Sequence, residues 1–194
     1  MRVRAMCSIV VLSLVGALPV RAQQAQKGPP TAVISGGPEV GRKAPDFTLA
    51  WAGRDGVGSA ESPYQLWRDR GKTVVIAFYP RDFTSGCTAQ MRTFTEQYDS
   101  LFGPDVVVVG VNADSLATHS RFASSLGLPF RLLSDPDQQV ARKYGSGDSS
   151  GRPRRTVFVV SPDGRVAYRN MKFNALDPKH YAELGAAVRA ARGT

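Results

Sequence analysis

Cysteine is almost absent from this chain of 194 residues: only Cys7 and Cys87 occur. A disulfide framework is therefore excluded, and so is a Cys-x-x-Cys pair. Histidine is as scarce. His119 and His180 are the two, both in polar helical contexts where solvent exposure is expected. A soft-metal site wants paired thiolates or a nearby histidine, so this inventory offers little to a metal. Internal repeats are missing. No uncharged apolar run reaches the roughly 20 residues that span a bilayer. The aromatic–basic interleaving of nucleic-acid binders is missing too. The formal charge of +9 therefore reads as a solvated basic surface, with no nucleic-acid partner.

What the chain does have begins with a leader. Arg2 and Arg4 are a basic start, Ala5 to Leu18 is an uncharged apolar run, and Val20-Arg21-Ala22 resembles a small-residue cleavage site. Residues 1–22 thus read as a secretory signal peptide, and the mature protein as exported, periplasmic or secreted, with no membrane attachment. Cys7 precedes the apolar run, which is the wrong place for a lipid-anchored cysteine, and it leaves with the leader. Without Arg2, Arg4 and Arg21 there remain 22 basic and 16 acidic residues, a net +6. Residues 23–40, rich in Gln, Gly and Pro, read as a flexible tether. Residues 41–194 read as one domain. Cys87 is then its single cysteine, in a compartment where disulfides persist. Such a lone thiol is either buried and inert or a reactive nucleophile.

Thr73 to Tyr79 is a β-branched apolar run, hence a buried strand that Pro80 ends. A loop, Arg81 to Gly86, leads to a helix on which Cys87, Met91, Phe94, Tyr98 and Leu101 recur at spacings of four and three. Ala44 to Leu49 alternates like an edge strand, Gly53 to Pro63 reads as a turn region, and Tyr64 to Arg70 as one or two helical turns. Further on, Val106 to Val111 is a second buried strand. Ser115 to Leu126 is a helix capped by Asp114 or Ser115. Phe130 to Leu133 is extended. Asp135 caps a helix to Tyr144 with Pro136 at its first position. Thr156 to Val160 is a third apolar strand, and Ser161-Pro162-Asp163-Gly164 turns it into a fourth, Arg165 to Arg169. Pro178 to Arg192 is a closing helix. Parallel units with a terminal hairpin imply an α/β domain, a mixed sheet with helices on both faces.

Cys87 therefore opens a helix at the end of a buried strand, where backbone N–H groups and the helix dipole favour an anion such as a thiolate. Gly86 leaves the backbone open to a substrate. Thr84 offers a hydroxyl that both donates and accepts. Pro80 has no N–H and can wall off water. The missing cation is expected from Arg155 at the start of the third buried strand, brought close if that strand lies parallel to the first.

The pattern Pro80-x-x-x-Thr84-x-x-Cys87, with Phe78-Tyr79 before it, resembles the active-site signature of the peroxiredoxins, and FYPRDFTSGCTAQ is most similar to their bacterioferritin-comigratory, or Q-type, branch. Gly41-x-x-Ala44-Pro45-x-Phe47-x-Leu49, Leu133-Ser134-Asp135 and Arg155-Thr156-Val157-Phe158 extend the likeness over residues 40–190. With proline and threonine each near 5% of residues, both offsets arise by chance in roughly 1 of 400 cases. The resemblance implies a thioredoxin-like fold and a thiol peroxidase without metal or organic cofactor. It implies Cys87 as the peroxidatic nucleophile that becomes a sulfenic acid, and Thr84 and the amides near Gly86 and Cys87 as holders of the peroxide oxygens. Arg155 would stabilise the thiolate and the leaving oxygen, and Pro80 would be the shield. Arg154 is the rival for the arginine role, but the family spacing to Phe158 fits Arg155, and strand neighbours face opposite ways. Many Q-type relatives carry a resolving cysteine five residues after the first. Arg92 stands there, which implies a one-cysteine cycle completed by an external thiol, a thioredoxin-like protein or a small molecule. The resemblance to the Q-type branch also implies a monomer.

Three other readings compete. A buried structural Cys87 would continue the Met91–Phe94 stripe. A thioredoxin-like disulfide or copper-handling protein of the same fold would need the second cysteine or the histidines described above. A peroxide sensor would use the same site but react once instead of turning over.

Overall fold

The computed structural model describes residues 36–193. The leader and most of the expected tether lie outside those residues. The elements run in chain order: β1 (Thr48–Leu49), β2 (Trp51–Gly53), β3 (Gly56–Val57), β4 (Tyr64–Gln65), a 3-10 turn (Leu66–Asp69), β5 (Thr73–Phe78), α1 (Ser85–Glu96), α2 (Tyr98–Leu101), β6 (Val106–Asn112), α3 (Leu116–Leu126), β7 (Arg131–Ser134), α4 (Gln139–Lys143), β8 (Thr156–Val160), β9 (Val166–Asn170) and α5 (Pro178–Arg192). Seven strands form one sheet in the order β3-β2-β7-β6-β5-β8-β9, and β1 pairs with β4 beside it.

Every residue of β5 is buried because both faces of the sheet are covered. Val75, Ala77 and Tyr79 join Met91 and Phe94 of α1, Phe122 of α3 and Leu184 of α5 on one face. Val74, Ile76 and Phe78 join Phe47, Leu66, Val140 and Tyr144 on the other. The mixed sheet with helices on both faces is as the sequence pattern implies.

Several local expectations need correction. The strand β8 runs antiparallel to β5, not parallel, with Thr156 opposite Phe78. The chain leaves β7 at the same end of the sheet at which it enters β8, and the short α4 never carries it to the other end. The helix after Cys87 starts two residues earlier, at Ser85, and breaks at Gln97 (φ −109°, ψ 21°), so that Tyr98 and Leu101 belong to α2. The Gly-rich region after Trp51 contains the β2–β3 hairpin, which little apolar alternation announces. Tyr64 to Arg70 is a short strand and a single 3-10 turn. Gln138 adopts a left-handed conformation (φ 51°), so α4 begins at Gln139 and Pro136 stays outside it. The N-cap is therefore Gln138 and not Asp135, although the Asp135 carboxylate accepts from the first-turn amides of Val140 and Ala141 at 3.3 and 2.8 Å.

The expected domain boundary at Gly41 falls too late. Gly37 and Pro38 are buried, and Glu39 is paired with Arg169 at 2.7 Å. The Gly41 N–H donates to the Val166 carbonyl at 2.8 Å, and the Val166 N–H to the Arg42 carbonyl at 2.9 Å. Residues 36–42 are thus a strap along the start of the edge strand β9, and no tether. No helix among the described residues is long and apolar enough to cross a membrane.

Candidate active site

Cys87 is the third residue of α1, in its first turn. The amides of that turn have no acceptor within the helix and carry the positive end of its dipole. The loop from Pro80 to Thr84 delivers the chain from the end of β5 into that turn. Thr84 is the N-cap by backbone conformation (φ −85°, ψ 150°), but its side chain does not cap. Instead its hydroxyl donates to the Arg81 carbonyl at 3.0 Å, which leaves its lone pairs as acceptors on the exposed side of the loop. Pro80 is half-buried between the buried Tyr79 and the exposed Arg81.

The antiparallel β8 brings the cation. Arg155 directly precedes β8, level with the end of β5, and its Nη2 donates to Cys87 Sγ at 3.3 Å. Its Nη1 donates to the Gln90 side-chain oxygen. Its own carbonyl accepts from the Phe173 amide at 3.2 Å, which fixes the backbone behind the guanidinium. Arg154 points away and donates to the Gly145 carbonyl. Gly86 lies beside the same guanidinium: a Cβ there would sit 3.3 Å from Arg155 Nη2. The structure thus brings Cys87, Gly86 and Arg155 together and sets Thr84 and Pro80 on the loop that leads into α1, while Arg154 stands apart.

Two partners escaped the sequence reading. Gln90, one turn after Cys87 and on its face, is fully buried and orients Arg155. The i,i+3 spacing from Cys87 was the available signal. Its amide nitrogen has no hydrogen-bond partner among the described residues. His119, expected in solvent, is fully buried against Asp82 at 2.8 Å. Its polar sequence neighbours concealed that contact, which joins α3 to the cysteine loop. Tyr79 donates to the same Asp82 carboxylate at 2.7 Å. Burial, with the charges of Asp82 and Cys87 added, pushes the Tyr79 phenol well above its ordinary range, so it stays a donor. Cys87 itself is 1% exposed, among Met91, Phe94 and Tyr79 in one apolar cluster.

Residues 40–169, which hold this thiol and guanidinium, match the AhpC/TSA family. The chain belongs to the AhpC/TSA family. Among AhpC/TSA relatives, the peroxiredoxin Bcp of Bacillus subtilis (strain 168) is 33% identical over 152 residues, 75% of this chain and 91% of that protein. The chloroplastic peroxiredoxin Q of Oryza sativa subsp. japonica is 36% identical over 138 residues, 70% of this chain and 60% of the rice protein. The match thus spans well under two thirds of the rice protein's length. Among solved AhpC/TSA-like structures, the peroxidoxin BcpB of Mycobacterium tuberculosis superposes with a TM-score of 0.67 at 26% identity, over 80% of this chain and 99% of that one. The peroxiredoxin Q of Xanthomonas campestris gives 0.62 at 26% identity, over 74% and 90%. The AhpC/TSA domain here has the thioredoxin-like α/β fold that the resemblance implied.

Proposed function

We propose that this protein is a thiol-dependent peroxidase acting on hydrogen peroxide or small organic hydroperoxides. The observation that carries the reading is the Arg155 guanidinium 3.3 Å from the sulfur of a cysteine in the first turn of α1. The Cys87 thiolate attacks one peroxide oxygen. The S–O bond forms as the O–O bond breaks, and the departing oxygen takes a proton to leave as water or an alcohol. The guanidinium and the free amides of the helix start stabilise the charge on that oxygen. Thr84 positions the incoming peroxide, Gly86 admits it and Pro80 excludes water. The sulfenic acid then condenses with an external thiol, releasing water. A second thiol displaces the mixed disulfide and restores Cys87.

The cysteine count supports an external thiol, since Arg92, five residues on, is exposed and carries no sulfur. The leader supports an exported protein. The strap over β9 supports a monomer, because it occupies part of the edge on which a second sheet would dock. The copper-handling reading loses its histidines: His119 is bonded to Asp82, and His180 Nδ1 accepts from the Asn174 amide at 2.7 Å. The test is peroxide consumption with dithiothreitol, followed by intact-mass analysis after one equivalent of peroxide. Wild type should turn over and gain one oxygen, and Cys87→Ser should do neither. Single-equivalent oxidation without turnover would favour the sensor.

A further inference from the structure

The reaction at Cys87 leaves one buried pair of ionisable groups unused. Asp82 lies inside the cysteine loop and is 3% exposed. Its Oδ1 accepts from the Tyr79 hydroxyl at 2.7 Å and from Asn112 Nδ2 at 3.0 Å. Its Oδ2 lies 2.8 Å from His119 Nδ1, and His119 Nε2 lies 3.2 Å from the Leu133 carbonyl oxygen of β7. Both ring nitrogens therefore face acceptors. A neutral imidazole has a single N–H, and only the imidazolium donates at both positions. The backbone of Asp82 is held as well. Its N–H donates to Asp114 Oδ2 at 2.7 Å, the Asp114 N–H donates to Asn112 Oδ1 at 2.6 Å, and Arg81 Nε lies 3.8 Å from Asp114 Oδ1.

One loop residue is thus tied to the ends of β5, β6 and β7 and to α3. The next residue, Phe83, has φ 57°, an uncommon conformation for an aromatic residue, and its ring rests on Phe122 at a centroid distance of 4.9 Å. That reversal leads directly into Thr84 and the first turn of α1. Fixing Asp82 fixes where the turn begins. For stability alone, a buried ion pair is a poor choice, because well-packed apolar side chains often do as well or better.

We propose that Asp82 and a doubly donating His119 form a clamp that positions the cysteine loop for attack on the peroxide, a proposal that rests on the peroxidase reading above. Both are positioning residues, acting through the loop and through Tyr79, which packs in the same cluster as Cys87. The first test is nitrogen-15 NMR of the imidazole rings of reduced protein near neutral pH, with His180→Gln assigning the second of only two histidines. Both His119 nitrogens should be protonated, and Asp82→Asn should abolish that pattern. The second is the single-turnover rate of Cys87 oxidation by hydrogen peroxide, at a temperature where circular dichroism shows each variant folded. His119→Ala and Asp82→Asn should be roughly 10- to 100-fold slower than wild type. His119→Gln, whose amide still donates to Asp82, should recover part of the loss. Unchanged rates in these folded variants, or a neutral His119 ring in wild type, would overturn the clamp. Should the first two variants fail to fold, Tyr79→Phe and Asn112→Ala each remove one bond to Asp82 and should slow oxidation. Wild-type rates in both would also overturn it. A wild type that peroxide never oxidises sinks the peroxidase reading and with it the positioning role, and the ring spectrum still decides whether the clamp exists.

Discussion

At Cys87 burial and reactivity pull in opposite directions. The apolar surroundings that strengthen the pull of Arg155 on the sulfur also leave Cys87 only 1% exposed. Arg155→Ala should slow single-turnover oxidation by about 10²- to 10³-fold, the usual cost of deleting one preorganised donor. A normal rate in that variant together with a slow one in Arg154→Ala would exchange their roles. Gln90 gives a sharper contrast. It orients Arg155 while its own amide nitrogen is buried without a hydrogen-bond partner among the described residues. Leucine there removes an unsatisfied group of similar size. Gln90→Leu removes that nitrogen but also takes the acceptor from Arg155 Nη1, so oxidation should slow, though by less than in Arg155→Ala, with the melting temperature little changed. Lower stability with an unchanged rate would make Gln90 a packing residue only.

Among the elements, the sheet under the loop sets the site. Gly110 of β6 lies beneath Tyr79: a Cβ there would come within 2.7 Å of Leu132 Cδ2 and 3.0 Å of Tyr79 Cε1. Gly110→Ala should destabilise by about 1–3 kcal/mol, as overpacked cores do. It should also slow Cys87 oxidation, because Tyr79 carries one bond of the loop. Chemical denaturation and stopped-flow kinetics on one variant check both. The elements also show what could be read in advance. The unbroken apolar run of β5 and the Pro80–Thr84–Cys87 spacing were legible, because a buried strand and a helix start leave local signatures. Arg155 was legible through its spacing to Phe158. Its route to the cysteine was not, since strand direction depends on where the connection through α4 crosses, and no local pattern encodes that. The bond from His119 to Asp82 links residues 37 apart in sequence, and a polar helix face does not reveal a buried partner beyond it. Residues 36–40 of the strap looked like a linker because their bonds are made by backbone groups and by Arg169 from the far end of the domain.

Across the whole molecule, buried tyrosines set the alkaline limit. Tyr64, Tyr79 and Tyr144 all have phenols pushed above their ordinary value of 10.0, in each case chiefly by burial. Folded, they keep their protons where the unfolded chain would lose them. Unfolding then releases protons, so stability is full below about pH 10 and falls as the pH rises above it. Phenolate absorbance and circular dichroism should change together in one alkaline transition; free ionisation of these phenols in folded protein would contradict it. The strap makes a second prediction at this scale. Starting the domain at residue 43 removes both the Glu39–Arg169 pair and the backbone bonds of Gly41 and Arg42 to Val166, and self-association should rise in sedimentation velocity at raised concentration. Unchanged sedimentation would mean that the strap does not guard the edge. The docking of β8 beside β5 has a further consequence. The guanidinium that faces the sulfur lies 68 residues later in the chain. A half-synthesised or unravelled polypeptide has no guanidinium at this sulfur, because the two meet only once β8 lies beside β5. Residues synthesised long after the cysteine thus complete its surroundings.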